Sequence, residues 1–352
     1  MSATPPRHTP AGDVAAHSQW RFCVAPMMQY TDRHFRYLAR IMSREARLYT
    51  EMVVADALLH GDRDRFLRHS PDEHPVALQL GGCEPEALAR AAVLGEAEGY
   101  CEINLNVGCP SDRVQSGKFG ASLMAEPALV ARCIEAMQQA VEVPVTVKTR
   151  IGIDRNDSYE ELFRFVEALD RVGCTVLIVH ARKAWLDGLS PRENREIPPL
   201  RYDVVRQVKR DFPHLTIVIN GGIVDLSSTE DLLVDLDGVM IGRAAYHTPF
   251  LLSAVDRAVF GSNEPVLDRF DVFERYLGYA ETELAAGTYL RHLAKPLHYL
   301  FQGEPGARQW RRHLSERCIS PTAGIDALAS ARRCVERVLP PDSENTKRGA
   351  AA

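Results

Sequence analysis

The sequence lacks the features that mark several classes of protein. No apolar run approaches the ~18 residues that a membrane-spanning helix needs, and the first segment, MSATPPRHTPAGDVAAHSQW, has no cationic start followed by an apolar core, so no secretory signal is predicted. The 8 cysteines include no CxxC pair and no Cys/His cluster with zinc spacing, which argues against iron–sulfur and structural zinc sites. Cysteines that stand in apolar runs instead favour a reduced compartment. We therefore expect a cytoplasmic protein with no membrane segment and no metal.

An excess of basic charge is also missing. The 352 residues carry 42 Lys+Arg and 47 Asp+Glu, a formal net charge of -5, which excludes a chain coated all over in basic residues for nucleic acid but not a local basic patch. Hydrophobic residues make up 45% and aromatic residues 7%, and the mean hydropathy is -0.20, as in ordinary globular proteins. The length predicts roughly two domains, of which one can be a large α/β barrel.

Short apolar runs alternate with segments of helical periodicity through most of the chain. Most runs, such as VLIV from Val176 and TIVI from Thr216, are continuous, which is typical of parallel strands covered on both faces. Eight strand–helix units over about 230 residues predict a TIM barrel, and the GxGxxG fingerprint of the doubly wound alternative is missing. The predicted strands are residues 22–25, 49–54, 76–81, 101–106, 145–149, 174–180, 216–220 and 238–241. The predicted helices include residues 85–98, 127–140, 158–172, 202–211 and 228–234.

Near residues 263–265 the rhythm changes to helices with Gly or Pro breaks and no strands. We therefore predict an α/β chain, with a TIM (β/α)8 barrel at residues 16–262 and a small all-α C-terminal domain at residues 263–339. The Pro-rich start, residues 1–15, and the tail, residues 340–352, have the composition of disordered ends.

Polar residues and glycines crowd the predicted strand ends, where the active site of a TIM barrel lies. Asn220-Gly221-Gly222 and Gly242-Arg243 end the last two strands, and the loops there are the usual phosphate site of this fold. Either glycine turn alone is as often an ordinary turn, but both together favour a phosphorylated ligand, which their backbone N–H groups can approach closely. The other strand-end residues are Pro26, Met27, Met28, Gln79, Asn104, Asn106, Cys109, Lys148, Arg150, His180 and Arg182.

Three of these residues have two interpretations each. Lys148 is typical of a solvated strand end and His180 of a hydrogen-bonded one. Beside phosphate loops, however, a cation and an imidazole favour a flavin mononucleotide, whose reduced ring a lysine would stabilise. Cys109, in a Gly-Cys-Pro turn, is either inert packing or a general acid, because a free thiol stays mostly protonated at neutral pH. We favour the general acid.

Six segments resemble the tRNA-dihydrouridine synthase family, and the resemblance extends from about Arg21 to Leu339. Two stretches, HARKAWLDGLSPRENREIPPL and FQGEPGARQWRRHLSE, resemble the bacterial subfamily that acts on tRNA positions 20 and 20a. The six segments are VAPMMQYTDRHFR, INLNVGCPSDRVQSGKFGASLM, VTVKTRIGID, VHARKAWLDGLSPRENREIPPLRY, INGGI and GRAAY.

The resemblance implies an FMN-dependent oxidoreductase that uses NADPH to reduce the C5–C6 double bond of uridines 20 and 20a in the tRNA D-loop. It makes Cys109 the proton donor to C5, with hydride passing from flavin N5 to C6. It places FMN at Pro26, Met27, Met28, Gln79, Lys148, His180, Asn220, Gly221, Gly222, Gly242 and Arg243. It places tRNA contacts at Asn106, Arg192, Arg195, Arg308 and Arg311, with Asn106 on the target nucleotide.

A basic C-terminal segment agrees with this reading on independent grounds. Residues 288–317 carry six Lys or Arg and two Glu, a net charge of +4, and this is the sign that a phosphate backbone needs. Trp310 in this segment either packs in the core or supports a stacked base, and we favour the core. No separate dinucleotide motif appears, so we expect NADPH and tRNA to use the flavin face in turn. We also expect a monomer.

Two other functions explain fewer of these residues. A small-molecule FMN oxidoreductase of the dihydroorotate or dihydropyrimidine dehydrogenase type shares the barrel and the flavin site, but it gives no reason for a basic helical domain. A non-catalytic RNA-binding or tRNA-folding module gives no reason for Cys109, Lys148 and His180 to converge on one barrel mouth.

Overall fold

The computed structural model of the chain describes residues 19–111 and 117–336, and within these ranges one closed sheet dominates. All strand pairings are parallel, in the order β2-β1-β9-β8-β7-β6-β5-β4-β3, and pairing of β2 with β4 closes the ring. The predicted TIM barrel is confirmed. The strands are β1 (Phe22–Val24), β2 (Arg47–Tyr49), β3 (Val53–Val54), β4 (Val76–Gly81), β5 (Ile103–Val107), β6 (Val145–Arg150), β7 (Val176–His180), β8 (Thr216–Asn220) and β9 (Gly238–Ile241).

One predicted strand, residues 49–54, is wrong as a single element, because it is divided between β2 and β3. The cause is a side chain: the backbone N–H of Gln79 donates to Oγ1 of Thr50 at 3.0 Å, where a regular ladder would use a carbonyl oxygen. Both pieces still pair with β4, through Leu48 opposite Val76 and Val53 opposite Leu80. Together β2 and β3 therefore supply one of the eight barrel strands.

Helices connect the strands on the outside of the barrel, and all five predicted helices are present. Their N-termini carry the expected signals: Pro85 and Pro127 open two of them, and Ser158 closes a capping box with Glu161. The α-helices are α1 (Arg33–Met42), α2 (Ala55–His60), α3 (Arg63–Leu67), α4 (Pro85–Ala97), α5 (Pro127–Gln138), α6 (Tyr159–Asp170), α7 (Tyr202–Asp211), α8 (Ser227–Asp235), α9 (Arg243–His247) and α10 (Val255–Phe260). Short 3₁₀ helices occupy Pro71–Glu73, Gly120–Ala125, Glu193–Arg195 and Pro249–Ala254.

The barrel interior is apolar on one side and polar on the other. Alternate residues of the strands share a face, and on most strands these residues form one apolar cluster, which includes Tyr49, Ile178 and Met240. On β5 and β6, by contrast, the buried side chains include Asn104 and Thr146, which hydrogen-bond to each other at 2.8 Å. The polar side positions the functional groups at the mouth of the barrel.

The chain divides into two compact units, of which the first ends at Leu267 and the second begins at Asp268. The sequence placed this transition near residues 263–265. The described part of the second unit contains helices and no strand: α11 (Arg269–Ala285), α12 (Leu290–Ala294), α13 (Ala307–Arg317), α14 (Ile325–Ala329), and 3₁₀ helices at Lys295–Tyr299 and Ser330–Cys334. The expected disordered ends, residues 1–15 and 340–352, lie outside the described ranges.

Aromatic side chains fill the core of the second unit. Trp310 is fully buried, its ring centroid lies 5.1 Å from that of Phe273 and 4.6 Å from that of Phe301, and its Nε1 donates to the carbonyl oxygen of Leu297 at 2.8 Å. Core packing is therefore the role of Trp310, as favoured from the sequence. None of the helices in the two described ranges combines the length and hydropathy of a membrane-crossing segment.

Candidate active site

Three buried amide side chains on β4 and β5 hydrogen-bond to one another below the mouth of the barrel. Gln79 Nε2 donates to Asn104 Oδ1 at 2.7 Å, and Asn106 Nδ2 donates to Gln79 Oε1 at 2.9 Å. Parallel pairing puts Gln79 directly opposite Asn104. The structure thus brings these predicted strand-end residues into one group.

The turn after β5 is held by side chains from two strands. Asn106 Oδ1 accepts from the backbone N–H of Gly108 at 3.2 Å and from that of Cys109 at 3.0 Å. On β6, Arg150 Nε donates to the carbonyl oxygen of Gly108 at 2.8 Å. The Cys109 side chain is half-buried, and its Sγ lies 3.5 Å from Oγ of Ser111. The thiol is therefore attached to a fixed backbone and keeps part of its surface accessible.

Arg150 also connects this turn to the loop after β7, a role that the sequence did not predict. One of its terminal nitrogens donates to the carbonyl oxygens of Lys183 at 3.0 Å and Asn194 at 3.1 Å. Burial lowers the pKa of Arg150 to about 10, and the nearby thiol of Cys109 partly opposes that effect. The guanidinium remains charged at neutral pH, so each of these hydrogen bonds is charge-assisted.

Asn194 is a second residue that the sequence missed. It is fully buried, its Nδ2 donates to the carbonyl oxygens of Trp185 at 2.9 Å and Leu189 at 3.1 Å, and its Oδ1 accepts from the N–H of Trp185 at 2.8 Å. An asparagine in a polar loop gives no sequence signal of such burial. The loop that carries the predicted tRNA contacts Arg192 and Arg195 is organised around this side chain.

Lys148 on β6 lies half-buried in the mouth, where its Nζ donates to Asn220 Oδ1 on β8 at 3.0 Å. Asn220 is itself oriented, because its Nδ2 donates to the carbonyl oxygen of Met240 at 2.7 Å. Burial lowers the pKa of Lys148 to about 7, and the charges of Arg150 and Arg195 add to the effect. The thiol of Cys109 is close enough to oppose this shift. Lys148 can therefore exchange a proton at neutral pH.

His180 at the end of β7 is neutral at physiological pH. Burial holds its pKa well below the ordinary value, and the neighbouring charges of Arg150 and Lys148 act in the same direction. Its Nδ1 is buried and has no hydrogen-bond partner among the described residues. A buried nitrogen without a partner is unfavourable, so it points to a ligand atom at this position.

The glycine turn after β8 faces His180 directly. A Cβ on Gly221 would lie 3.1 Å from Cε1 of His180, and one on Gly222 would lie 2.4 Å from Cδ1 of Leu200. Both glycines have positive φ, 110° and 73°, which other residues rarely adopt. Tyr202 fixes the turn by donating from its hydroxyl to the carbonyl oxygen of Gly221 at 2.6 Å. Backbone and imidazole therefore approach each other more closely than side chains would allow.

The ends of β1 and β9 meet at the remaining side of the mouth. A Cβ on Gly242 would find its nearest neighbours, Ala25 Cβ and Met27 Sδ, at 3.8 Å. Met27 is held in a turn in which its carbonyl oxygen accepts from the backbone N–H groups of Tyr30 and Thr31, both at 3.0 Å. The predicted residues Pro26, Met27, Met28 and Gly242 are thus neighbours along one rim, and Met28 is 54% exposed there.

The predicted tRNA-binding arginines lie in both units. Arg195 is near the mouth, since its charge helps lower the pKa of Lys148 and His180. Glu196 accepts from Arg243 at 2.7 Å and lies 3.5 Å from the exposed Arg192. In the second unit, Arg308 is exposed on α13, and Arg311 on the same helix donates to Gln302 at 2.7 Å.

A closed parallel barrel with a thiol, a lysine of lowered pKa, a neutral histidine and glycine turns at one mouth belongs to the TIM-barrel enzymes. Comparison with known proteins narrows this class. A sequence profile of the dihydrouridine synthase family matches residues 23–332.

Individual members of the family are similar in sequence to this chain over almost its whole length. The tRNA-dihydrouridine(20/20a) synthase of Vibrio parahaemolyticus is 57% identical over 320 residues, which cover 91% of this chain and 98% of that protein. The proteins of the same name from Shewanella oneidensis and Escherichia coli are each 56% identical, and the alignments cover 90% and 91% of this chain and 95% and 92% of the respective relatives. The chain belongs to the dihydrouridine synthase family.

Proposed function

We propose that this chain is a tRNA-dihydrouridine synthase that reduces the C5–C6 double bond of D-loop uridines 20 and 20a, with FMN as cofactor and NADPH as reductant. The observation that carries the proposal is the convergence of the Cys109 turn, Lys148 and His180 on one barrel mouth. Relatives that are 56–57% identical bear the corresponding name.

The residues of the mouth fit a flavin mononucleotide. His180 Nδ1 is buried without a described partner. The Cβ side of Gly242 has no atom nearer than 3.8 Å, so a ligand can approach its backbone, whereas Gly221 and Gly222 let their turn pack against His180 and Leu200. Arg243 lies beside the phosphate loops and pairs with Glu196, and it would have to turn its guanidinium from Glu196 to a bound phosphate. When bound, the flavin supplies the hydride that adds to C6 of the uracil. Its contacts would be Pro26, Met27, Met28, Gln79, Lys148, His180, Asn220, Gly221, Gly222, Gly242 and Arg243.

Cys109 supplies the proton that completes the reduction. Hydride addition at C6 leaves the electron pair of the double bond at C5, and the S–H bond of Cys109 breaks to form the C5–H bond. The thiolate that remains is close enough to Lys148 and Arg150 to interact with both charges. These cations stabilise the thiolate until it takes a proton from solvent.

Lys148 would balance negative charge on the pyrimidine edge of a bound flavin. Its pKa of about 7 means that an anionic group bound nearby draws a proton onto Nζ at neutral pH. The hydrogen bond to Asn220 Oδ1 holds Nζ in place without neutralising it, because an amide oxygen carries no net charge. Lys148 is therefore a responsive cation rather than a permanent ion pair.

The tRNA must release a stacked base into the mouth, which costs a few kcal/mol that backbone contacts have to offset. Arg192 and Arg195 are the candidates for this role in the barrel unit. In the helical unit, Glu316 pairs with Arg312 at 2.8 Å on α13, which leaves the exposed Arg308 and its neighbour Arg311 for phosphate.

The proposal is tested by incubating unmodified tRNA with the purified protein, FMN and NADPH, followed by mass spectrometry of tRNA fragments. We expect a gain of two hydrogens in the fragment with positions 20 and 20a. A colourless protein that binds tRNA without changing its mass would overturn the proposal in favour of a binding module. Reoxidation of the reduced protein by free orotate or uridine, with tRNA unchanged, would favour a small-molecule oxidoreductase.

Eight free cysteines and a tRNA substrate support a cytoplasmic location.

A further inference from the structure

Glu102, far below the mouth of the barrel, is a buried carboxylate that the proposed reaction does not use. It is fully buried and accepts from four donors. Oε2 accepts from Arg47 at 2.9 Å and from Trp20 Nε1 at 2.8 Å, whereas Oε1 accepts from the Tyr49 hydroxyl at 2.8 Å and the Thr146 hydroxyl at 2.5 Å. Because a carboxylate only accepts, each of these groups must donate to it.

Each further hydrogen bond from Glu102 towards the mouth of the barrel then has only one possible donor and one possible acceptor. The Thr146 hydroxyl donates its one hydrogen to Glu102. Its oxygen can therefore only accept, and it accepts from Asn104 Nδ2 at 2.8 Å. The amide of Asn104 thereby turns its Oδ1 towards Gln79, which donates at 2.7 Å. Gln79 in turn offers Oε1 to Asn106 Nδ2 at 2.9 Å.

The upper end of this chain of hydrogen bonds reaches the Cys109 turn. With its Nδ2 used on Gln79, Asn106 directs Oδ1 at the N–H groups of Gly108 and Cys109. Backbone N–H groups only donate, so they require an oxygen at this position, as the carboxylate requires a donor at the other end. Both ends agree on one orientation for all three amides.

We propose that Thr146 and Asn104, anchored on Glu102, are positioning residues that fix the orientation of Asn106 and through it the backbone of the Cys109 turn. The inference rests on the proposed function in so far as Cys109 is the proton donor. A reversed amide would point N–H groups at the N–H groups of the turn, and the turn would open.

A substitution that removes one oxygen atom interrupts this series of hydrogen bonds. In Thr146→Val the hydroxyl is lost at similar volume, so Asn104 Nδ2 has no acceptor and its orientation is no longer fixed. Thr146→Ser restores the hydroxyl. Thr149→Val is the matched control: Thr149 is also buried on β6, but its hydroxyl makes only 3.4 Å contacts with the carbonyl oxygens of Val107 and Arg150, outside the chain.

The experiment follows the alkylation of Cys109 by iodoacetamide in the holoenzyme, resolved by tandem mass spectrometry. We expect Thr146→Val to raise the rate about three- to tenfold, as expected for a turn that opens more often. Thr146→Ser and Thr149→Val should keep the wild-type rate. An unchanged rate in Thr146→Val, or an equal rise in Thr149→Val, would overturn the proposal.

A second variant and a second readout separate this inference from the proposed function. If Thr146→Val does not fold, Asn104→Leu interrupts the hydrogen bonds at the next residue towards the mouth. This variant must also raise the alkylation rate of Cys109, and an unchanged rate would overturn the proposal. In turnover with tRNA, we expect Thr146→Val to lower kcat, and Thr146→Ser to recover it. The alkylation rate of Cys109 tests whether these hydrogen bonds position the turn. In a variant whose alkylation rate has changed, kcat then tests whether the turn carries the proton donor.

Discussion

Arg150 Nε donates to the carbonyl oxygen of Gly108 at 2.8 Å, one residue before the thiol that we assign as proton donor. Asn106 holds the N–H groups of the same turn from the other side. The peptide group of Gly108 is thus fixed at its oxygen by one strand and at its nitrogen by another. Such two-sided support limits the positions that the Cys109 side chain can reach.

Replacing Arg150 by lysine tests this support. Arg150 makes these contacts with two different nitrogens, Nε to Gly108 and one terminal nitrogen to Lys183 and Asn194. A lysine has a single nitrogen and no planar fork, so it cannot hold both sides at once. We expect the Arg150→Lys protein to be less stable by about 2–4 kcal/mol. We also expect single-turnover reduction of tRNA to be about tenfold to a hundredfold slower, because the thiol is displaced.

Arg206→Lys serves as the control for this prediction. Arg206 pairs with Asp235 at 3.0 Å on the outside of the same barrel, and the expected loss of stability is below about 1 kcal/mol with turnover unchanged. Thermal unfolding and rapid-quench kinetics measure both quantities. If Arg150→Lys lost stability but reduced tRNA at the wild-type rate, Arg150 would support the fold alone.

Cys109→Ala tests the proton donor. The residues assigned to the flavin are unchanged, so the purified protein should stay yellow and should still be reduced by NADPH, while dihydrouridine formation should fall at least about a hundredfold. Cys334→Ala, which removes a thiol in the helical unit, is the control and should react normally. Turnover near wild type in Cys109→Ala would remove the thiol from the mechanism.

Arg308 and Arg311 are expected to contact tRNA phosphates. Their joint replacement by alanine should weaken tRNA binding, and the slope of log affinity against log salt should become shallower by about 0.7–0.9 for each lost contact. The charge-matched control is Arg164→Ala on α6 with Arg171→Ala at the C-terminal cap of that helix; both arginines are exposed and each pairs with a glutamate of α6. Equal slopes in the two double variants would place Arg308 and Arg311 outside the interface.

Lys148 should lower the stability of the flavin-free protein in a pH-dependent way. An unfolded lysine has a pKa of about 10.4, and burial lowers the folded value to about 7. Below pH 7 the lysine is charged in both states, so the full cost of burying the charge is present. As the pH rises from 7 towards 10.4 the folded lysine becomes neutral first and the cost disappears.

Lys148→Met removes this cost. Allowing for the partial exposure of the side chain and the lost bond to Asn220, we expect the variant to be more stable by about 1–3 kcal/mol below pH 7. The difference should shrink between pH 7 and 10, as measured by urea unfolding at each pH. A difference that does not change with pH would contradict the lowered pKa.

Much of the barrel could be predicted from the sequence because its strands are buried on both faces and therefore leave continuous apolar runs. Helix α1 left no such pattern. Its buried residues include Arg36, which pairs with Glu73 at 2.6 Å, and Arg40, which donates to the carbonyl oxygens of Ser43 and Ala46 at 2.7 and 2.6 Å. Periodicity counts such arginines as exposed, since nothing local reveals the partners that make their burial possible.

Which residues lie at the candidate site could be predicted from the sequence, but the hydrogen bonds that join them could not. The rule that active residues follow barrel strands places Gln79, Lys148 and His180 at the mouth of the barrel without any structure. Arg150 had a usable signal, because it stands two residues after Lys148 on the same strand and so shares its face. The support from Glu102 had none, because it depends on which strands become neighbours and on the direction in which each amide donates.

Trp310, sealed among aromatic rings in the helical unit, has a practical consequence. The chain contains 3 tryptophans, and the other two, Trp20 and Trp185, belong to the barrel unit. Replacing those two with phenylalanine would leave Trp310 as a fluorophore shielded from water and confined to one unit. Its emission would then shift only when the helical core melts, so that the unfolding of the helical unit could be recorded separately from that of the barrel.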